Sequence, residues 1–123
     1  MEFGTNKPIY LHIYDIVVER IILGTWDEGF RVPSVRELAV ELQVNPNTVM
    51  RAYDALRQNN IITPSRGIGY FVAEGARERA LTESRREFVE HELTELFRRM
   101  ETLGFTPEEV TTLYTNYQKR EKR

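Results

Sequence analysis

The sequence predicts a mainly α-helical fold with one small β-wing, on three observations. Two short helical patterns follow one another closely, Val35-Arg-Glu-Leu-Ala behind Ser34 and Pro46-Asn-Thr-Val-Met behind Asn45. Two strand-like runs, Ile61-Ile62-Thr63 and Tyr70-Phe71-Val72, flank the turn Pro64-Ser-Arg-Gly-Ile-Gly. From Ala76 no glycine occurs until Gly104, and apolar residues recur at helical spacing. Together these describe an N-terminal winged helix-turn-helix over residues 8–75, followed by a C-terminal helical hairpin over residues 76–123.

Pro8 to Gly24 reads as the first helix, with Ile9, Ile13, Ile16, Val17 and Ile21 as its buried face. Gly24 is a natural terminator. Thr25-Trp-Asp-Glu-Gly-Phe reads as a turn, and Arg31-Val32 is placed to add a short strand to the later hairpin. Ser34 caps the second helix and Glu37, three residues on, completes a capping box. Val35, Leu38, Ala39 and Leu42 face the core. Asn45 caps the third helix, with Pro46 at the first helical position, where no amide donor is needed. Val49, Ala52, Tyr53 and Leu56 supply its buried face. Only Gln43 to Asn45 join the two helices, the tight connection that a helix-turn-helix requires. In the wing turn, Gly67 or Gly69 can adopt a positive φ.

Beyond the wing, Val89, Leu93, Leu96, Met100 and Leu103 are spaced 4, 3, 4 and 3, a heptad seam. Phe88 and Phe97 widen it beyond what a solvent-facing helix tolerates. Gly104 ends this helix. Thr106 caps the next, with Pro107 at the first position and Glu109 closing a second capping box. Val110, Leu113, Tyr114 and Tyr117 form its stripe, ahead of a charged tail ending at Arg123. A hairpin of this size cannot enclose a cavity of the few hundred Å³ that a small ligand usually fills. Its apolar stripe calls for a partner. Two-fold pairing with a second copy is the commonest solution, and folding back onto its own N-terminal domain is the alternative.

The chain of 123 residues has 29% charged residues and an apolar fraction that suits a globular protein. Without cysteine there is no disulfide framework, thiolate metal site or thiol nucleophile. Apolar runs such as Ile21 to Leu23 are far too short to cross a bilayer, and no secretory signal pattern is visible, so a cytoplasmic location without membrane contact is expected. The net charge of −2 runs against a nucleic-acid partner, but its distribution does not. Between Arg31 and Tyr70, five arginines (31, 36, 51, 57 and 66) outnumber Glu37, Glu41 and Asp54, while Asp15, Glu19, Asp27 and Glu28 lie outside that span. The small basic footprint coincides with the motif that places a helix in a DNA groove, and it implies modest, salt-dependent nonspecific affinity.

Pro33-Ser-Val-Arg-Glu-Leu-Ala39, Asn47-Thr-Val49, Leu56 with Ile61-Ile62, and Gly67-Ile-Gly-Tyr-Phe-Val72 occur in this order. In combination they closely resemble the GntR family of bacterial transcription regulators over residues 8 to about 75. Asn45-Pro46-Asn47-Thr48-Val49 with Ala52-Tyr53, and a short C-terminal part, look like its YtrA-like subfamily. The resemblance implies a DNA-facing set of Ser34, Arg36, Asn45, Asn47, Thr48, Arg51, Arg66, Gly67 and Gly69. Arg36 would reach a base edge or a nearby phosphate. Asn47 and Thr48 would lie at the groove-facing start of the recognition helix, and Arg66-Gly67 at the wing tip. Many members carry arginine where this chain has Pro46 and Met50, so the sequence it reads is expected to differ from theirs.

The side-chain chemistry suits these roles. Arginine pairs bidentately with guanine and asparagine with adenine, while a helix N-terminus offers amides to phosphate. Each residue also has a plainer reading. Arg36 and Arg51 can be solvated charges, Asn45 a cap, Arg66 a hairpin tip, and the two glycines turn formers. Tyr10, Tyr14 and Trp26 read as core or boundary aromatics, with Tyr10 also in reach of a phosphate. His12 and His91 are too few for a His-rich metal site, and Glu90, Glu92 and Glu95 form a solvated face. No catalytic constellation or cofactor motif is present, so neither enzymatic activity nor a cofactor is expected.

The expectation is therefore a homodimeric, sequence-specific DNA-binding transcription regulator, a repressor on a palindromic operator. Phe88, Val89, Leu93, Leu96, Phe97, Met100, Leu103, Val110, Leu113, Tyr114 and Tyr117 would form its dimer contacts. A small-molecule effector is left open, without an identity. The alternative is a winged-helix protein-interaction module without sequence-specific DNA binding, kept open by the acidic net charge.

Overall fold

The computed structural model describes residues 7–122; residues 1–6, and Arg123 at the end of the expected charged tail, lie outside it. The order is α1 (Ile9–Ile22), α2 (Val35–Leu42), α3 (Pro46–Gln58), β1 (Ile62–Ser65), β2 (Gly69–Val72), α4 (Ala76–Glu87), a π-helical segment (Phe88–Leu93), α5 (Thr94–Leu103) and α6 (Pro107–Glu121). Two compact units divide inside α4, between Glu83 and Ser84. No helix among the described residues is long and apolar enough to cross a membrane.

The first unit is built on α3, against which both α1 and α2 pack. Val49, Ala52, Tyr53 and Leu56 are all buried, the face that their spacing predicts. They meet Ile13, Val17, Val18 and Ile21 of α1 and Leu38, Ala39 and Leu42 of α2. One assignment needs correction. Ile9 is 48% exposed, because it sits in the opening turn of α1, before the buried ladder that begins at Ile13. Val35, in the opening turn of α2, is half-buried and packs against the core. The connection between α2 and α3 is Gln43 to Asn45, as expected. It turns through Gln43 in the left-handed region (φ 57°), and the Val44 amide donates back to the Ala39 carbonyl at 3.0 Å.

The wing is an antiparallel hairpin with Ile62 opposite Val72 and Ser65 opposite Gly69. Arg31 bridges Phe71 on the far side of β2, with Val32 N–H to Tyr70 O and Val72 N–H to Phe30 O both at 2.9 Å. The expected short strand at Arg31-Val32 thus makes β2 central and leaves β1 as an edge, where Pro64 sacrifices no ladder bond that the fold needs.

The compact unit runs past residue 75, where the sequence reading ends the DNA-binding domain. Ala76 and Ala80 are buried in its core. Arg77 Nε donates to the Ile22 carbonyl at 3.0 Å, satisfying an end group of α1. Arg79 donates to the Glu74 carbonyl at 2.7 Å and to the Asn60 carbonyl.

The second unit has helices where they were expected. Gly104 ends α5 at φ 77°, and Thr106 and Glu109 form a complete capping box on α6. The uninterrupted heptad seam is a correction. Phe88, Val89 and Leu93 fall in the π-helical segment, which accommodates an extra residue per turn and rotates the faces on either side of it. The Thr94 hydroxyl donates to the Val89 carbonyl at 3.0 Å, satisfying an acceptor within that register. No residue from Ser84 to Lys122 is buried.

Tyr53 is fully buried, and its hydroxyl donates to the Pro33 carbonyl at 2.6 Å. Tyr53→Phe should lower the unfolding free energy by roughly 1–3 kcal/mol, because that carbonyl loses its donor. The effect is read as a lower denaturant midpoint at unchanged m-value.

Candidate nucleic-acid interface

The local chemistry of α3 decides what it can present. Asn45 is extended (φ −67°, ψ 133°), and its Oδ1 accepts the Asn47 amide at 2.8 Å. The capping role therefore occupies this oxygen and leaves the side-chain NH2 as the outward donor. Pro46 takes the first helical position. With Val49, Ala52, Tyr53 and Leu56 turned inward, Asn47, Arg51 and Asp54 fall on the opposite face and are exposed. Asn47 and Arg51 are one turn apart and adjacent on that surface. Thr48 is half-buried, rotated toward the core.

Arg51 has a partner that the sequence reading did not find. Its guanidinium carbon lies 4.1 Å from the centroid of the Tyr10 ring on α1. This cation–π contact joins distant parts of the chain, so no local spacing announces it. Asp54 was likewise counted only as a charge, although the helical period puts it on the face of Asn47 and Arg51. A carboxylate there can accept from a cytosine amino group and repels phosphate.

At the start of α2, the capping box is complete. Ser34 Oγ accepts the Glu37 amide at 3.1 Å, and Glu37 Oε1 accepts the Ser34 amide at 2.9 Å. Hydrogen bonds from the Ser34 backbone and side chain, opposed by slight desolvation, hold the Glu37 carboxyl below its ordinary pKa. Glu37 thus stays charged at the helix N-terminus. Arg36 is exposed beside the box, away from buried Leu38.

The wing tip turns through Arg66 and Gly67, with the Ile68 amide donating to the Ser65 carbonyl at 2.9 Å. Gly67 has φ +73° in open space, so its requirement is conformational. Gly69 (φ +136°) serves a second need: a Cβ there would stand 3.1 Å from Arg31 Nε, so its absence makes room for Arg31 across the sheet. Tyr70 meets Tyr53 edge-on at 5.2 Å between centroids, which fixes the wing against α3.

Some cations elsewhere are tied down. Arg20 pairs with Glu41 and lies 5.0 Å from the Trp26 ring centroid, and Arg98 pairs with Glu95. Among the described residues no ion pair engages Arg36, Arg51 or Arg66. With Arg57 in the last turn of α3, which also makes no ion pair among the described residues, these are the arginines that α2, α3 and the wing tip leave with uncompensated charge.

Residues 9–72 match the family described as bacterial regulatory proteins, gntR family. Among curated relatives, the uncharacterized HTH-type transcriptional regulator YhcF of Bacillus subtilis (strain 168) is 36% identical over 110 residues, 89% of this chain and 88% of that protein. The HTH-type transcriptional repressor YtrA of the same strain is 36% identical over 92 residues, 75% of this chain and 70% of that one. Among solved structures, a GntR family transcriptional regulator from Listeria monocytogenes matches with a TM-score of 0.74 at 31% identity, over 93% of this chain and 98% of that chain.

Asn45→Ala removes the α3 cap and should cost about 1 kcal/mol of stability, whereas Asn45→Asp keeps the acceptor and should cost less. Thermal unfolding of the two variants side by side checks the order.

Proposed function

The chain belongs to the gntR family of bacterial regulatory proteins, on its short YtrA-like branch, and from that premise we propose a homodimeric, sequence-specific repressor that reads a palindromic operator. The family makes it a DNA-binding transcription regulator; the two-fold pairing, the operator symmetry and repression are the finer reading. The outward face of α3 carries it. Asn47 and Arg51 are exposed at the start of a helix whose opposite face is wholly buried. A rigid helix with base-reading side chains at its free end is what major-groove recognition requires.

In this reading the DNA contacts lie within residues 8–75, and the pairing of two copies falls to the second unit within residues 76–123, from Ser84 onward. Arg36 and Arg51 address base edges or adjacent phosphates. Asn47 reads a base, while Thr48, Ser34 and the Asn45 amide group lie toward the backbone. Arg66 reaches an adjacent minor groove from the wing, with Gly67 and Gly69 permitting its turn. Pairing is supported by the second unit, where Leu96, Phe97, Leu103, Leu113, Tyr114 and Tyr117 are all roughly half exposed and nothing is buried. A hairpin with no core of its own gains one by packing against a second hairpin. The two-fold axis then sets half-sites about one helical turn or more apart. YtrA is by its name a repressor, which supports the direction of regulation. A site inside the bacterial cytoplasm follows from that role.

Selection of bound duplexes from a random pool, with light scattering on the free protein, tests the whole reading. A symmetric consensus and a dimer are expected. A monomer at micromolar concentration that retains no sequence selectively would sink it. On the selected operator, Arg36→Ala should cost roughly 1–3 kcal/mol if it meets a base edge, with little change on random DNA. An equal loss on both would make it a phosphate contact. Phe97→Glu, at a half-exposed site, should leave the first unit folded but shift the protein to monomer, and operator affinity should fall at least about tenfold as the two half-sites lose their linkage.

A further inference from the structure

We propose that Tyr10 is the positioning residue for a base contact by Arg51, so that part of the sequence preference is set from α1, outside the helix-turn-helix itself. This rests on the DNA-reading function proposed above. Arg51 projects from the outward face of α3, one turn beyond Asn47, with its guanidinium 4.1 Å from the Tyr10 ring centroid. It makes no ion pair among the described residues, although Asp54 stands three residues on. The aromatic face, not the neighbouring carboxylate, holds it.

Stacking suits a reading arginine for a geometric reason. The guanidinium is planar and carries its five N–H donors around its edge. A ring against its face restrains the side chain and strips water from one side, while the edge fork stays free for guanine O6 and N7. A salt bridge would consume those same donors. Tyr10 can act as a fixed surface because it is half-buried against the core on a helix anchored by Ile13 and Val17. The pairing also fits the departure at Pro46 and Met50. With no arginine at those two positions, Arg51 is the arginine that α3 offers close to its N-terminus.

The test uses the full chain and the duplex it selects from a random pool. Arg51→Ala should lose about ten- to a hundredfold in affinity and relax the preference at one base pair per half-site. Tyr10→Leu should lose about two- to fivefold on the native Arg51 background and nothing further on Arg51→Ala. Tyr10→Phe should behave as the native chain. A Tyr10→Leu loss that persists on Arg51→Ala, or that Tyr10→Phe reproduces, would mean that Tyr10 contacts phosphate through its hydroxyl, and would overturn the proposal. Tighter binding by Tyr10→Leu would mean that the ring sequesters Arg51, and would overturn it too.

Two arms avoid the core packing of Tyr10. Arg51→Lys, at an exposed site, keeps the charge but not the planar fork. It should lose the base preference while keeping affinity for random DNA, and retained preference counts against a base contact. In the free native protein, the Arg51 Hδ resonances should be displaced upfield by the ring current and return in Tyr10→Leu; no displacement would refute the stacked geometry. Selection of no duplex by the native chain would sink the DNA-reading function and this inference together. A selected duplex indifferent to Arg51 would sink only the inference.

Discussion

The bond from the buried Tyr53 hydroxyl to the Pro33 carbonyl is the constraint on which the first unit depends. Tyr53 belongs to the inward face of α3, its ring meets Tyr70 of the wing, and its hydroxyl holds the residue that precedes the Ser34 cap. One side chain therefore ties together the outward helix, the entry to α2 and β2. Burial raises its pKa further above the usual tyrosine value, so it remains a neutral donor wherever the protein is folded. Under the proposed function, the side chains that α2, α3 and the wing present to DNA can be long and exposed because the backbone beneath them is held.

The same division of labour governs charge. A net charge of −2 offers little long-range attraction to a polyanion. The chain compensates by where it leaves cations uncommitted. Arg20, Arg77, Arg79, Arg86 and Arg98 are engaged by carboxylates, main-chain carbonyls or an aromatic ring. On α2, α3 and the wing, Arg36, Arg57 and Arg66 make no ion pair among the described residues, and Arg51 rests on a ring that leaves its charge intact. Under the proposed function, a weak overall field with a few free cations on α2, α3 and the wing would favour discrimination over nonspecific retention, because affinity would then come from short-range contacts that require the right bases.

The fold was legible where its signals are local. Caps at Ser34, Asn45 and Thr106, the proline at position 46, and the inward quartet of α3 each follow from spacing of a few residues, and each is where it was expected. What escaped the sequence is tertiary. The Tyr10–Arg51 stack and the Arg31 side chain over Gly69 join residues whose proximity exists only after folding. Ala76 and Ala80 escaped because small residues on a charged helix carry almost no hydrophobic signal, yet they extend the core past the wing. Ile9 erred in the other direction, since periodicity does not record where a helix outruns the core beneath it.

The π-helical segment is the least local of these features and bears most on assembly. A heptad count treats Val89 to Leu103 as one seam, but the extra residue between Phe88 and Leu93 turns Phe88 and Val89 away from the row formed by Leu96, Met100 and Leu103. The apolar residues therefore do not follow the single heptad register that a straight coiled coil requires. Under the proposed pairing, the partner hairpin would also meet the exposed Leu113, Tyr114 and Tyr117 of α6. Because no side chain from Ser84 to Lys122 is buried, such packing would supply the core that the hairpin lacks alone. Ordering of the hairpin and dimerisation would then be one equilibrium, and the spacing between the two reading heads would be set by side chains that never approach DNA.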